Sequence, residues 1–495
     1  MLRYKIKQYQ KAREGRKIKG IYLEKHKGDA VMQEVERKLY PLTVAQKLHF
    51  YTLKCCPKKQ VLNIGTSMLI KEDIDFDLLR EAIYRCYDRC EALRIRFTEE
   101  KEGMVYQYIV PRETREIELM DFSHYTEEAV DEILRKWTES PFDRVDSPLN
   151  KMVMINTPNG YKGVYFLVDH MTMDSYSIIT LMTDLIEIYC SLKYDIEYPK
   201  AMQSYIKALE KDLAYEKDSP QRKKDALYWH KIYEGSEPIF TDVLGTGKLE
   251  QTRKETNNPT LRAARIVSKD VSAAHKVFHL EPQPTKELLE YCEVHQIPMV
   301  CLLMMGLRTY LSKMNKNEKD VSIKTTISRR ATVLDKKSGG TRIHFFPCRT
   351  VVEDEQTFME GMKVIQQKQN EIFKHANYDP IALISECREM YGYEPGLTHE
   401  CMSLTYQPLS MRSKDERLKD IDYKCKWYSN GVAGCPLYLT VMHNSEDGGL
   451  DFYFEYQTGV ITEQQLEYMY YYLCKIIFMG IQHEAMTVGE ILRTV

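Results

Sequence analysis

The sequence predicts an α/β (α+β) chain of two large lobes, and three observations carry that reading. A chain of 495 residues exceeds what one ordinary hydrophobic core supports. Short β-branched and aromatic runs alternate with stretches whose apolar residues recur every three or four positions, as in strands mixed with amphipathic helices. Turn signals at Pro158-Asn159-Gly160 and Glu446-Asp447-Gly448-Gly449 place an antiparallel hairpin in each half.

Composition narrows the class. A net charge of -2 gives no reason to expect nucleic acid as a partner. No apolar run is long enough for a transmembrane segment, and the start carries no apolar signal core. Thirteen cysteines without a C-x-x-C pair read as reduced thiols in a cytoplasmic protein. Residues 1–27 hold ten Lys or Arg against Glu14 and Glu24, so 1–39 reads as a basic N-terminal extension, solvated or loosely helical. The first lobe is expected over 40–225 and the second over 226–495.

The elements follow in order. Thr43 caps a helix over 42–53, a strand covers 63–70, and Leu78, Leu79, Ile83 and Tyr87 form one face of a helix over 77–90. Strands at 93–98 and 104–110 flank a turn at Gly103, and a helix over 126–139 is closed by Pro141. The hairpin 149–156/161–168 leads to a helix over 175–192 with Ile178, Ile179, Met182, Leu185, Ile186 and Tyr189 in a stripe. A long polar helical stretch over 205–233 joins the lobes, and 245–260 reads as a polar loop. Helices at 286–295, 300–314 and 464–478 and strands at 321–328, 343–352, 437–442 and 450–457 complete the second lobe.

Between the strand ending at Val168 and the helix starting at Ser175 sit His170 and Asp174. A histidine offered where a strand stops, beside an acid at a helix start, suits an active site. A plain capped turn explains the same residues. Metal binding through H-x-x-x-D wants both side chains on one helix face, and here the run before His170 is a strand pattern. No G-x-S-x-G elbow is present for a serine hydrolase.

The chain as a whole resembles the condensation domains of non-ribosomal peptide synthetases, in the chloramphenicol-acetyltransferase-like superfamily. The residues that carry the resemblance are Leu42-Thr43-x-Ala45-Gln46, Arg89-Cys90-Glu91-Ala92-Leu93-Arg94-Ile95-Arg96-Phe97, Pro141-Phe142-Asp143 and Asp169-His170-x-x-x-Asp174-Ser175. Gly340-Thr341-Arg342-Ile343-His344-Phe345-Phe346-Pro347-Cys348-Arg349, His375-x-Asn377-Tyr378-Asp379-Pro380 and Phe454-Glu455-Tyr456-Gln457-Thr458 continue it in order. The resemblance implies two similar lobes in a V-shaped pseudo-dimer, monomeric, with a central tunnel and His170 near its middle.

It also implies a function. The expectation is a freestanding acyltransferase that moves an acyl or aminoacyl group from the phosphopantetheine arm of a carrier protein, met in trans, onto a small amine. The chain itself binds no cofactor in this reading. An ester-forming relative with an alcohol acceptor or a CoA-borne donor, and an inactive domain that only docks a carrier, are the alternatives. His170 takes the acceptor proton, and the Ser175 N–H faces the oxyanion from a helix N-terminus. Asp174 holds the loop, paired by one of Arg94, Arg96, Arg329 or Arg330. Asp169, His344 and Met173 are expected along the substrate tunnel. Asp169 and Ser175 depart from the family's histidine and glycine; an acid beside His170 is expected to raise its pKa.

Overall fold

The computed structural model describes residues 17–26, 29–100, 103–113, 115–217, 219–266, 268–408, 423–444 and 446–495. The first half is built on a five-stranded sheet in the order Tyr423–Tyr428, Asn63–Ile70, Lys162–Asp169, Asn150–Asn156, Leu119–Asp121. Asn150–Asn156 and Lys162–Asp169 pair antiparallel from Asn150↔Val168 to Asn156↔Lys162. Their turn places Asn159 at φ 63° and Gly160 at φ 77°, a left-handed pair that turns the chain tightly in hairpins. Lys162–Asp169 is buried at every residue but Lys162, as its near-continuous apolar run requires.

Helix Ser175–Tyr194 leaves the end of that strand and packs beside Phe76–Arg89. The two are cross-linked where Arg89 grips Asp184 through Nε at 3.0 Å and Nη2 at 2.8 Å. Thr43 closes a capping box with Gln46 at the start of Val44–Cys55, satisfying two N–H groups that the helix cannot.

The second half carries a six-stranded sheet in the order Ala273–Leu280, Leu450–Gln457, Leu437–His443, Met402–Gln407, Asp320–Ile327, His344–Val351. Helix Met299–Met314, buried along nearly its whole length, packs with Phe358–Lys374 and Glu463–Gln482 in the core of this half. The sheet's other face is half-buried. Direct pairing aligns His275, Glu455 and Tyr438 on it, and then Val277, Tyr453 and Thr440. Among the described residues no single helix is long and apolar enough to cross a membrane.

Several expectations change. The helical stretch 205–233 is two helices, Tyr205–Glu216 and Pro220–Glu234, because Pro220 cannot continue a helix but starts one well, with Ser219 as its cap. The loop expected over 245–260 contains helix Lys248–Glu255. Lys17–His26 and Asp29–Lys38 form an antiparallel hairpin rather than a loose helical extension, while residues 1–16 lie outside the described residues. Among the strands that escape the sequence reading are Ala273–Leu280, Met402–Gln407 and Tyr423–Tyr428. The last leaves the second half and pairs antiparallel with Asn63–Ile70, Tyr423 opposite Ile70. That strand adds a hydrogen-bonded tie between the halves.

Gly163 is a point of close backbone approach in the first sheet. A Cβ there would lie 2.0 Å from the Met68 carbonyl oxygen on the neighbouring strand, and backbone cannot yield as a side chain does. Gly163→Ala should therefore destabilise the protein by about 1–3 kcal/mol or more, as overpacking does. A lower urea midpoint at unchanged m-value would show it; an unchanged midpoint would refute the tight approach.

Candidate active site

The site forms where the loop after Lys162–Asp169 meets two loops of the second half. His170 is held by its own N–H, which donates to the Leu62 carbonyl at 2.8 Å. Its ring stacks on His49 of helix Val44–Cys55, with centroids 4.0 Å apart and planes 27° from parallel. His170 Nδ1 is buried without a well-aligned hydrogen-bond partner. The residue nevertheless keeps partial exposure, so its open edge is the Nε2 side.

Burial lowers the pKa of His170, and the carboxylates of Asp174 and Asp169 and the carbonyls of His170 and Met173 only partly oppose it. The expectation of a raised value is thus overturned: desolvation of the charged imidazolium outweighs the neighbouring acid. His49 is depressed further, by burial and then by His170 itself. Both rings are neutral near pH 7, and the His170 edge is a free base.

Asp174 is a structural anchor by its contacts. Its side chain is 1 % exposed. Arg330 forks onto it, Nη1 to Oδ2 at 2.9 Å and Nη2 to Oδ1 at 2.7 Å. The Arg342 N–H donates to Oδ2 at 2.9 Å and the Ser177 N–H to Oδ1 at 3.0 Å. Burial pushes this carboxyl up, but Arg330 and the two backbone donors more than offset it and hold it below the usual range. A carboxylate with four donors is ionised and has no capacity left for proton transfer.

Arg330 is fixed in turn. Its Nη2 also reaches Ser177 Oγ at 2.7 Å and the Gly340 carbonyl at 3.1 Å, and its guanidinium lies over the Tyr176 ring at 4.6 Å. Gly340 stands at φ 86°, and a Cβ there would meet the Tyr205 ring at 2.5 Å, so only glycine delivers that carbonyl.

The other three candidate arginines are engaged elsewhere. Arg94 donates to the carbonyls of Val110, Pro111 and Asp88, and Arg96 pairs with Glu113. Arg329 bonds Asp212 at 3.2 Å and the Asn377 side chain at 3.1 Å. Arg329 itself sits at φ 53°, a left-handed turn that sends consecutive arginines to different carboxylates.

The residues expected along a tunnel are closed off instead. Asp169, Met173 and His344 have no accessible surface, and the polar atoms of the two titratable ones are already partnered within the fold. Asp169 is bound by Arg144 at 2.6 Å and by the Met171 N–H at 2.9 Å, so it stiffens the loop. His344 donates through Nδ1 to the Ala376 carbonyl at 2.9 Å and accepts from Arg329 at Nε2 at 3.1 Å. Burial, with Arg329 next, holds it neutral. Met173 packs in the core of the first half.

Ser175 opens helix Ser175–Tyr194, and its Oγ donates to Gln407 Oε1 of the second half at 2.8 Å. Ile179 and Met182, one and two turns on along the same face, line a cavity of about 430 Å³ whose far side includes Val277, Met442 and Tyr453. His49, Arg144, Arg342 and Gln407 escaped the sequence reading. Only Arg342 lay within a motif already singled out, Gly340–Arg349.

Two α/β halves closed over an H-x-x-x-D loop define the chloramphenicol-acetyltransferase-like class. Within it, the model of the condensation domain matches residues 36–494, and the chain belongs to that family, known from non-ribosomal peptide synthetases. It is 24% identical over 464 residues to surfactin synthase subunit 1 of Bacillus subtilis (strain 168), a match over 92% of this chain and 12% of that protein. It is 23% identical over 370 residues to gramicidin S synthase 2 of Brevibacillus brevis, over 72% of this chain and 8% of that protein. The chain therefore spans less than a fifth of the length of these relatives. Among solved structures it superposes on the first condensation domain of the calcium-dependent antibiotic synthetase with a TM-score of 0.74 at 18% identity, covering 91% of this chain and 98% of that one. A variant of the starter condensation domain of rhizomide synthetase RzmA in complex with C8-CoA gives 0.75 at 18% identity, covering 91% and 96%.

Breaking the Asp174–Arg330 pair strands a buried charge. Arg330→Ala should cost about 3–5 kcal/mol of stability, measured by chemical denaturation; a loss below about 1 kcal/mol would contradict the anchor role. The sign with pH follows from the depressed carboxyl. The contribution of Asp174 is complete above its unfolded pKa and disappears as pH falls through the lower folded value. Wild type should lose this stabilisation below about pH 4, and Arg330→Ala should show a flatter acid limb.

Proposed function

We propose that this chain joins an acyl group, carried as a thioester on phosphopantetheine, to an amine and so forms an amide. The observation that supports it best is the division of labour at the junction. His170 is neutral with an open edge, while Asp174 is wholly committed to holding the loop. A base beside a helix N-terminus is what acyl transfer from an already activated donor needs.

The amine nitrogen attacks the thioester carbon, and its proton passes to His170 Nε2. The C–N bond forms while the carbonyl π pair moves onto oxygen. The Ser175 N–H at the start of helix Ser175–Tyr194, which has no partner within the helix, favours that charge. The oxyanion then collapses, the C–S bond breaks, and the departing thiolate takes the proton from His170. No serine or cysteine nucleophile enters this sequence.

The donor is proposed to arrive on a carrier protein, within the same polypeptide or on another. The complex of a solved relative with C8-CoA supports a pantetheine-borne donor, since CoA ends in the same arm. The acceptor is a small amine.

The test is a product assay with acyl-loaded carrier protein or acyl-CoA and a panel of amines and alcohols, read by mass spectrometry. His170→Ala should lower turnover by about 10²–10⁴-fold with carrier binding retained. Equal product from wild type and variant would refute the mechanism. Product from alcohols alone would redirect the reading to ester formation, and carrier binding without any product to a docking domain.

The pH dependence follows from the direction of the His170 shift. The base is free above its pKa, so kcat/KM should fall only on the acid side, with its midpoint below 6.5, the ordinary imidazole value. A midpoint above 6.5 would show that the neighbouring acids, and not burial, govern the ring.

A further inference from the structure

Gln407 ends strand Met402–Gln407, which runs parallel to both of its neighbours, Asp320–Ile327 and Leu437–His443. It is 6 % exposed. Its Oε1 is taken by the Ser175 hydroxyl at 2.8 Å, while its Nε2 is buried with no hydrogen-bond partner among the described residues. Leaving an amide donor in that state costs free energy. The Ser175 hydroxyl donates in this arrangement and takes up the amide oxygen. With the oxygen committed to the start of helix Ser175–Tyr194, the NH₂ lies on the opposite side of the amide group.

The surroundings indicate what it serves. Met442, directly opposite Gln407 in the sheet, lines the cavity together with Ile179 and Met182 of the helix that Ser175 begins. The unpartnered donor therefore sits at the N-terminus of the helix that follows the loop of His170, next to the strand from which Met442 lines the cavity. A neutral NH₂ group suits a neutral or weakly negative oxygen. A carboxylate or phosphate would call for a cation, and the guanidinium at this junction, Arg330, is already consumed by Asp174.

We infer that Gln407 Nε2 is a hydrogen-bond donor to the carbonyl oxygen of the acyl thioester, with Ser175 as the residue that orients it. The site takes the thioester C=O from the second half of the chain while the Ser175 N–H approaches it from the first half. This rests on the acyl-transfer reading and adds a residue to it. It also gives the serine a purpose at a position where the family resemblance leads one to expect glycine: the hydroxyl holds an amide that a glycine would leave free to turn.

The experiment compares the chain with Gln407→Leu and Ser175→Ala, each with and without His170→Ala. The His170→Ala proteins are titrated with octanoyl-pantetheine and with its thioether analogue, in which CH₂ replaces the carbonyl. With Gln407 present the thioester should bind about 5–10-fold tighter than the thioether, as for one hydrogen bond; with Gln407→Leu the two should bind alike. In turnover, Gln407→Leu should lower kcat by about 10²-fold and raise KM for the donor by no more than the roughly 5–10-fold lost in binding, and Ser175→Ala should have a smaller effect of the same kind. Thermal midpoints separate this from a structural role. Gln407→Leu deletes an unpartnered buried donor, so its midpoint should stay level or rise even as activity falls. A lowered midpoint with unchanged thioester preference would overturn the assignment, and Ser175→Ala decides the matter if Gln407→Leu does not fold. Failure of the Gln407-containing protein to bind either compound would instead overturn the acyl-thioester reading as a whole.

Discussion

The ion pair between Asp174 and Arg330 is the interaction on which the junction depends. Both side chains are 1 % exposed, so each charge needs the other to be tolerated away from water. The pair spans 156 positions of sequence, from the loop of the first sheet to the loop that follows Asp320–Ile327 in the second. Because Oδ1 and Oδ2 also take the Ser177 and Arg342 N–H groups, one carboxylate sets the start of a helix and the course of the facing loop. His170, four residues before it, inherits its position from that arrangement.

Burial at the same place shapes the electrostatics. Asp174 and Asp169 both adjoin His170, and proximity alone suggests a more basic ring. Each acid is already neutralised, by Arg330 and by Arg144. What remains is mostly the desolvation of the imidazolium, and a neutral base results. His49, stacked on the ring at 4.0 Å, is held neutral in its turn by burial and then by His170. The open edge of His170 and the half-satisfied Gln407 stand beside a carboxylate, Asp174, whose acceptors are all taken.

Local features of the chain were legible to the degree that they depend on near neighbours. The hairpin through Asn159-Gly160, the Thr43 cap and the strand–His170–x–x–x–Asp174–helix unit all follow from residues a few positions apart. Errors arose where one local signal competed with another. Pro220 broke a helix that periodicity extended, and a Gly/Asn/Thr-rich stretch hid helix Lys248–Glu255. Met402–Gln407 was invisible because its burial is supplied by flanking strands far away in sequence, and short runs of this kind carry no period of their own. The three supposed tunnel residues show the same limit. A histidine on a strand reads alike whether its nitrogens meet a substrate or, as in His344, a carbonyl and an arginine.

By itself the sequence determined the mixed α/β class, most of the elements, the family through an ordered set of short motifs, and His170 as the base to examine. Those properties rest on hydrophobic periodicity, turn chemistry and spacing, all of which act over a few residues. Tertiary structure alone decided that Arg330 and not Arg94, Arg96 or Arg329 meets Asp174, that Asp169 belongs to Arg144, and that Ser175 finds Gln407. Four arginines are chemically equal in a sequence. They become unequal only when folding excludes water from one carboxylate and leaves a single guanidinium within reach.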